Sequence, residues 1–128
     1  LDWARAWDGP WQALADYYRG LIALRGLLPA LCDKGPGAPG RLLSSWRPGR
    51  LAAAFHLDNK GPASRWDALM LFFSAAGQPR PAALPDGQWQ VLADPDSSFR
   101  WQEAAPTLLA GQATLPAAGA LILGRVGP

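Results

Sequence analysis

Few side chains in this sequence could carry chemistry: His56, Cys32, Asp94, Asp96, Lys60 and Glu103. A nucleophile needs a base beside it. His56 is the sole histidine, set mid-strand in "LAAAFHL" (51–57) with no Ser or Cys motif around it. It reads as a surface or satisfied strand residue. Cys32 is the sole cysteine, which excludes an intrachain disulfide and a cysteine metal cluster. Its apolar neighbours make it a small hydrophobe. "DPD" (94–96) could bind a cation, but Asp and Pro are turn residues and a turn is the better reading. Lys60 and Gly61 in "DNKGP" lack the glycine pattern that cradles phosphate. No metal site and no cofactor are expected.

The tryptophans are the other candidates. Seven in 128 residues is high. An indole face is broad and apolar and stacks on sugar rings. Trp46, Trp66 and Trp89 lie beside Arg or Gln and near loops, so they are the carbohydrate-binding candidates. Packing inside a core is the simpler role for any one of them.

These residues need elements to position them. Abundant Pro and Gly, with few helix formers, predict short strands joined by turns. Residues 9–28 carry the one convincing helix, with Gly9 as N-cap and Pro10 at the first helical position. Trp11, Leu14, Ala15, Tyr18, Leu21 and Ile22 follow the spacing of one buried face. Tyr17, Leu24 and Leu28 widen that stripe beyond one side, and Pro29 marks the end. "DKGPGAPG" (33–40) is a loop without periodicity. Beyond it the period becomes two. Strands are expected in 51–57, 67–73, 82–84, 87–94, 111–115 and 119–126, separated by "DNKGP", "GQPRP", "LPDG", "DPDSS" and "LPAAG". The stretch 67–73 is apolar on both faces, as a central strand is. Leu71 and Phe73 are expected buried on one side of it, Met70 and Phe72 on the other. The fold class is mostly β, an antiparallel β-sandwich of six to eight strands preceded by one α-helix.

Twelve basic and ten acidic residues leave a net charge of +2, with the arginines scattered. That pattern argues against a nucleic-acid partner. No apolar run approaches the ~18 residues of a membrane helix. The chain opens on Leu1 and reads as a piece of something longer.

"LDWARAWDGPWQALADYYRGLIALRGLLPAL" (1–31) resembles the end of the catalytic barrel of type I pullulanases, debranching enzymes of the α-amylase superfamily. Leu1, Asp2 and Trp3 match the start of the family's last barrel segment. Tyr17 to Arg25 match its Tyr-Tyr-Lys-Gly-Leu-Ile-x-Leu-Arg centre, with Arg19 for the usual Lys. Pro29 and Ala30 match its stop; Leu28 and Cys32 depart from it. "SRWDALMLFFS" (64–74), "LPDGQWQVLAD" (84–94) and "GQATLPAAGALILG" (111–124) are similar to later segments of the family's C-terminal β-domain, in the same order.

The resemblance implies a division at 1–32, the terminal helix of a missing catalytic barrel; 33–50, a Gly/Pro-rich connection; and 51–128, a C-terminal β-sandwich domain. It makes Trp11, Leu14, Tyr17, Tyr18, Leu21, Ile22, Leu24 and Leu28 the barrel-packing candidates. The parent would be a secreted or cell-associated, bacterial-type glycoside hydrolase acting on α-1,6-glucosidic bonds. The family's acid is a Glu on a barrel strand, whereas the only Glu here, Glu103, lies in a late loop, so no family catalytic residue maps onto the chain. Two functions are therefore expected. In the first, the chain is a non-catalytic accessory domain that caps the barrel and self-associates through its helix when alone. In the second, it is an autonomous α-glucan-binding module.

Overall fold

The change of period near residue 50 marks the join between a helix and a curled antiparallel sheet. A computed structural model describes residues 9–32, 35–36, 38–61 and 65–126. The motif start at Leu1, Asp2 and Trp3 lies outside the described residues, as do the side chains of Trp11 and Cys32.

Helix α1 spans Gly9–Arg25 and a short turn of helix, α2, spans Pro29–Cys32. The strands are β1 (Leu42–Trp46), β2 (Ala52–Asp58), β3 (Trp66–Ser74), β4 (Arg80–Ala93), β5 (Leu108–Leu115) and β6 (Gly119–Val126). They form one six-stranded sheet in the order β1-β2-β3-β6-β4-β5. Every pair is antiparallel. The sheet curls over on itself. β3 and β5 are not neighbours in the ladder, yet they touch. Side chains from both ends of the sheet share one core: Ala54, Met70, Phe72, Trp89, Leu115 and Leu123 are all fully or almost fully buried in it. No helix among the described residues is long and apolar enough to cross a membrane.

The sheet's other face receives α1. Leu24 and Leu28 are buried there against Trp66, Leu69, Leu92 and Trp101, with Leu21 half-buried beside them. β3 and β6 are therefore apolar on both faces because both faces are covered. β6 runs over 119–126, as its sequence pattern predicts. An ion pair ties it to β3: Arg125 donates from Nε and Nη2 to the two carboxylate oxygens of Asp67, at 2.7 and 3.1 Å. That pairing holds the Asp67 carboxyl below its ordinary range.

Four expectations are corrected. The segments 82–84 and 87–94 are one strand, β4, and "LPDG" is not a turn between two. Pairing with β5 is interrupted between Ala83 and Gln88. Gly87, with φ +115°, supplies a backbone shape that other residues avoid, so the strand bulges instead of turning. Second, β1 falls inside the stretch read as a connection. It is an edge strand exposed along most of its length, so it never needed the alternation that would have revealed it. Third, α1 ends at Arg25 rather than Leu28. Pro29 opens α2 instead, where its missing N–H costs nothing. Fourth, Phe73 is 47% exposed while Met70 and Phe72 are buried. α1 covers only part of the outer face, and Phe73 lies beyond it.

The two phenylalanines provide a test. Phe72→Ala opens a cavity in the inner core and is expected to cost ~3–5 kcal/mol. Phe73→Ala removes a half-exposed ring and is expected to cost about 1 kcal/mol or less. Urea unfolding of the two variants measures both. Equal losses would mean that the outer corner of the sheet is covered.

Candidate functional site

The residues that could have been catalytic are engaged in turns and clamps. The Asp94 carboxylate accepts the backbone N–H groups of Asp96 and Ser97 at 3.0 and 2.9 Å. Its second oxygen accepts from Arg100 Nε at 3.1 Å. The same guanidinium reaches Glu103 at 3.4 Å. This is a turn closed on itself by the Asp94 carboxylate and Arg100. The Lys60 backbone N–H donates to Asp58 Oδ1 at 3.0 Å, which makes "DNKGP" a side-chain-stabilised turn as well. Among the described residues no group of three His, Cys, Asp or Glu could hold a metal ion.

His56 is the exception. Its Nε2 is buried without a hydrogen-bond partner among the described residues. Its ring meets Trp89 edge-on at 5.8 Å. Burial, and secondarily the charge of Arg125, lowers its pKa below the ordinary imidazole value.

The three candidate tryptophans do not form a row. Trp89 is fully buried and donates Nε1–H to the Pro85 carbonyl at 3.0 Å. Trp66 is buried in the helix-facing cluster and donates to Gln90 Oε1 at 3.1 Å. Trp46 is half-buried, edge-on to Phe72 at 6.5 Å. Stacking on sugar needs an open indole face, and Trp66 and Trp89 have none. Gln90, next to Trp89 in the sequence, is itself buried, and its Oε1 accepts from Trp66.

A set of polar contacts holds the helices in their seat. Tyr17 Oη donates to the Asp94 carbonyl at 2.8 Å. Burial chiefly, then the charges of Asp94 and Asp96, raise its phenol pKa. Ser98 Oγ donates to the Tyr17 carbonyl at 2.6 Å. Between these bonds sits Gly20. A Cβ there would collide with Ser98 Oγ and come within 2.9 Å of Phe99 Cε2. At the other end, Asn59 is fully buried. Its Oδ1 accepts from Ala30 N at 2.9 Å and its Nδ2 donates to the Trp66 carbonyl at 2.8 Å. Trp101, buried and bonded to the Ser98 carbonyl at 2.9 Å, backs the cluster.

The barrel-packing candidates divide accordingly. Tyr17, Leu21, Leu24 and Leu28 face the sheet of this chain. Leu14, Tyr18 and Ile22, at i, i+4 and i+8, are 47%, 57% and 72% exposed. Periodicity alone had placed these three on the buried face. A helix apolar all round gives no signal of which side is covered. Sequence reading also missed Gly20, Ser98, Asn59 and Trp101; for Gly20 the signal is a glycine retained mid-helix at a propensity cost.

No protein-family description matches the chain, and no curated protein does. Solved structures do. Pullulanase type I from Bacillus subtilis str. 168, in complex with maltose, superposes with TM-score 0.81 at 23% identity over 99% of this chain and 17% of that one. Pullulanase from Bacillus acidopullulyticus gives 0.81 at 22% over 97% and 15%. Pullulanase from Anoxybacillus sp. LM18-11 gives 0.78 at 17% over 98% and 16%. The chain has the fold of one part of these enzymes and spans about a sixth of their length.

Two outcomes are expected. Gly20→Ala should raise helix propensity by ~1 kcal/mol. The clash with Ser98 and Phe99 should outweigh that gain, for a net loss of about 1–2 kcal/mol in denaturant unfolding. A stabilised variant would show that α1 does not sit this close. The second outcome concerns pH. The folded His56 resists protonation, so its contribution is fully present above the unfolded imidazole pKa of about 6.5. It is lost as pH falls from there toward the lower folded value, because only the unfolded chain binds the proton readily. His56→Phe should flatten the denaturation midpoint between pH 7.5 and 5.5. An unchanged slope would place the titration elsewhere; the Asp67 carboxylate acts only in a lower window, below ~4.

Proposed function

We propose that this chain is the non-catalytic C-terminal accessory domain of a pullulanase-type α-1,6-glucan debranching enzyme, and that it caps and stabilises the catalytic barrel. One observation carries the reading. α1 is clamped to the sheet on one side and presents Leu14, Tyr18 and Ile22 to solvent on the other. An apolar stripe on the free side of a docked helix needs a second body to cover it. The solved pullulanases supply the candidate, since the matched region is only about a sixth of each. In this reading, residues 1–32 close the outer ring of the barrel, 33–41 connect, and 42–128, from β1 onward, form the sandwich.

The chemistry of the chain agrees. A retaining glycosidase holds two carboxyls about 5–5.5 Å apart, one of them as acid. Here Glu103 and Asp94 share one arginine inside a turn. The second reading, an autonomous α-glucan module, requires open aromatic faces. The burial of Trp66 and Trp89 favours packing over that role.

Two measurements test the proposal together. The purified chain should release no reducing sugar from pullulan or starch; turnover above buffer that Glu103→Gln abolishes would overturn it. In sedimentation the chain alone should self-associate through the uncovered stripe. Ile22→Gln should shift it toward monomer while leaving the urea midpoint within ~0.5 kcal/mol of the parent. A parent chain that stays monomeric at millimolar concentration would mean the stripe needs no partner.

A further inference from the structure

The inner core has a weak place at the end where β4 bulges. His56, on β2, stands opposite Ser44 of β1 and Met70 of β3. Ala52 and Ala54, on the same face of β2, belong to the inner core. His56 therefore points inward, where its ring meets Trp89. Trp89 in turn stands directly opposite Arg125 of β6. The imidazole Nε2 is buried with no hydrogen-bond partner among the described residues. The acceptors of this cluster are committed. The Pro85 carbonyl takes the Trp89 indole N–H, and the Asp67 carboxylate takes Arg125.

The backbone beside Trp89 is loosely tied. Leu84, Pro85, Asp86 and Gly87 have no ladder partner among the described residues. Pairing with β5 stops at Ala83 and resumes at Gln88, and pairing with β6 begins only at Gln88. Side-chain contacts hold the segment down instead. Leu84 packs on the inner core. The Trp89 indole holds the Pro85 carbonyl at 3.0 Å. Gly87 lies so close to Arg125 that a Cβ there would come within 2.8 Å of its Cδ. Two of these ties run through Trp89 and Arg125, the groups that bear on His56. The charged groups on the elements around it are Asp58 on β2, Lys60 just after it, Arg41 ahead of β1, Asp67 on β3, Asp86 in the segment itself and Arg125 on β6. Asp58 Oδ1 is taken by the Lys60 backbone and Asp67 by Arg125, Arg41 donates to the Asp58 and Lys60 carbonyls, and Asp86 is exposed.

We propose that residues 84–87 are an acid-opened strap: protonation of His56 frees them from the inner core while the rest of the sheet stays folded. An imidazolium carries N–H on both ring nitrogens. Nε2 would then bury a donor and a charge with no acceptor to meet them, which is unfavourable. The Arg125 cation beside it adds repulsion. The least disruptive relief is local: the unpaired strap lifts and water reaches the ring. The ladders of β2 with β1 and β3 need not break. Burial and the Arg125 charge hold His56 neutral while the strap is closed. The closed form is therefore fully favoured above the free imidazole pKa of about 6.5 and loses ground as pH falls from there. The opening occurs within the folded chain, ahead of unfolding. It involves none of the contacts that seat α1.

Indole hydrogen exchange, read by NMR on the chain itself, tests this. Buried indoles report on different places: Trp89 beside the strap, Trp66 and Trp101 in the helix-facing core. Exchange is compared at pH 7.5 and 5.5 and corrected for its intrinsic rate. Protection of the Trp89 Nε1–H should fall by about ten-fold or more, and that of Trp66 and Trp101 should stay within about two-fold. The loss should share its midpoint with the His56 ring signals in the same sample. His56→Phe and His56→Leu should each hold Trp89 protection constant across the range. Equal loss at all three indoles would mean global unfolding and would overturn the strap. Unchanged Trp89 protection, or a midpoint apart from that of His56, would overturn it too. So would a pH-dependent loss that survives in either folded variant. The ring titration needs no substitution, so the test stands even if neither variant folds.

Discussion

The close approach of α1 to the Ser97–Phe99 segment is the constraint on which the rest depends. A helix backbone can come that near only where a residue has no Cβ, and Gly20 supplies the gap. Closeness then allows the Tyr17 phenol to reach the Asp94 carbonyl and Ser98 to reach the Tyr17 carbonyl. Those bonds set the helix rotation. With the rotation set, Leu21, Leu24 and Leu28 point into the sheet, and Leu14, Tyr18 and Ile22 point away. Rotated by half a turn, the same helix would bury a comparable apolar stripe. Hydrophobicity alone is non-directional and does not choose between the two. The polar clamp and the glycine notch make the choice.

The clamp also explains why the loop after β4 has its composition. Asp94 closes the turn with its side chain and offers its carbonyl to Tyr17, so one residue serves both the loop and the helix. Arg100 fixes the carboxylate from the other side. Trp101 then fills the space behind Ser98 and completes the helix-facing core. At the far end Asn59 does the same for α2, bonding Ala30 and the Trp66 carbonyl from a buried position. A buried amide left unpaired costs a few kcal/mol, so each of these contacts discriminates against misplaced arrangements. His56 Nε2 has no such partner among the described residues, and there the chain tolerates a pH-sensitive weak point.

The sequence shows the periodic elements and hides what tertiary contact decides. β6 and β3 stand out because two covered faces demand continuous apolar runs, and the alternation of β2 marks the face that Ala53, Phe55 and Leu57 share with Phe73, Leu71 and Leu69. β1 is invisible because an edge strand in solvent needs no pattern. The bulge at Gly87 reads as a turn, since Pro-x-Gly serves either purpose and only the partner strand distinguishes them. For the candidate site the same limit applies. Tyr17 and Tyr18 are chemically alike and adjacent, yet one is the clamp and the other faces outward. The tryptophans mislead in the opposite sense. Their number suggests a platform, but Trp66 and Trp89 each use the indole N–H inside the core, as buried indoles do.

An inventory of uncommitted groups indicates what kind of work the chain is built for. Four of its described carboxylates are ion-paired: Asp16 with Arg19, Asp67 with Arg125, Asp94 and Glu103 with Arg100. Groups of another type stand uncommitted. Leu14, Tyr18 and Ile22 on the helix, Leu51 and Phe73 on the sheet, and Arg47 and Arg50 beside Leu51 are large and exposed. Apolar area with a cationic border gives affinity through burial and orientation through charge, the combination that holds two protein bodies in one register. On the accessory-domain proposal, the partner of such a surface is the remainder of a pullulanase-type enzyme. The sheet fixes α1, and α1 in turn presents an apolar face to solvent.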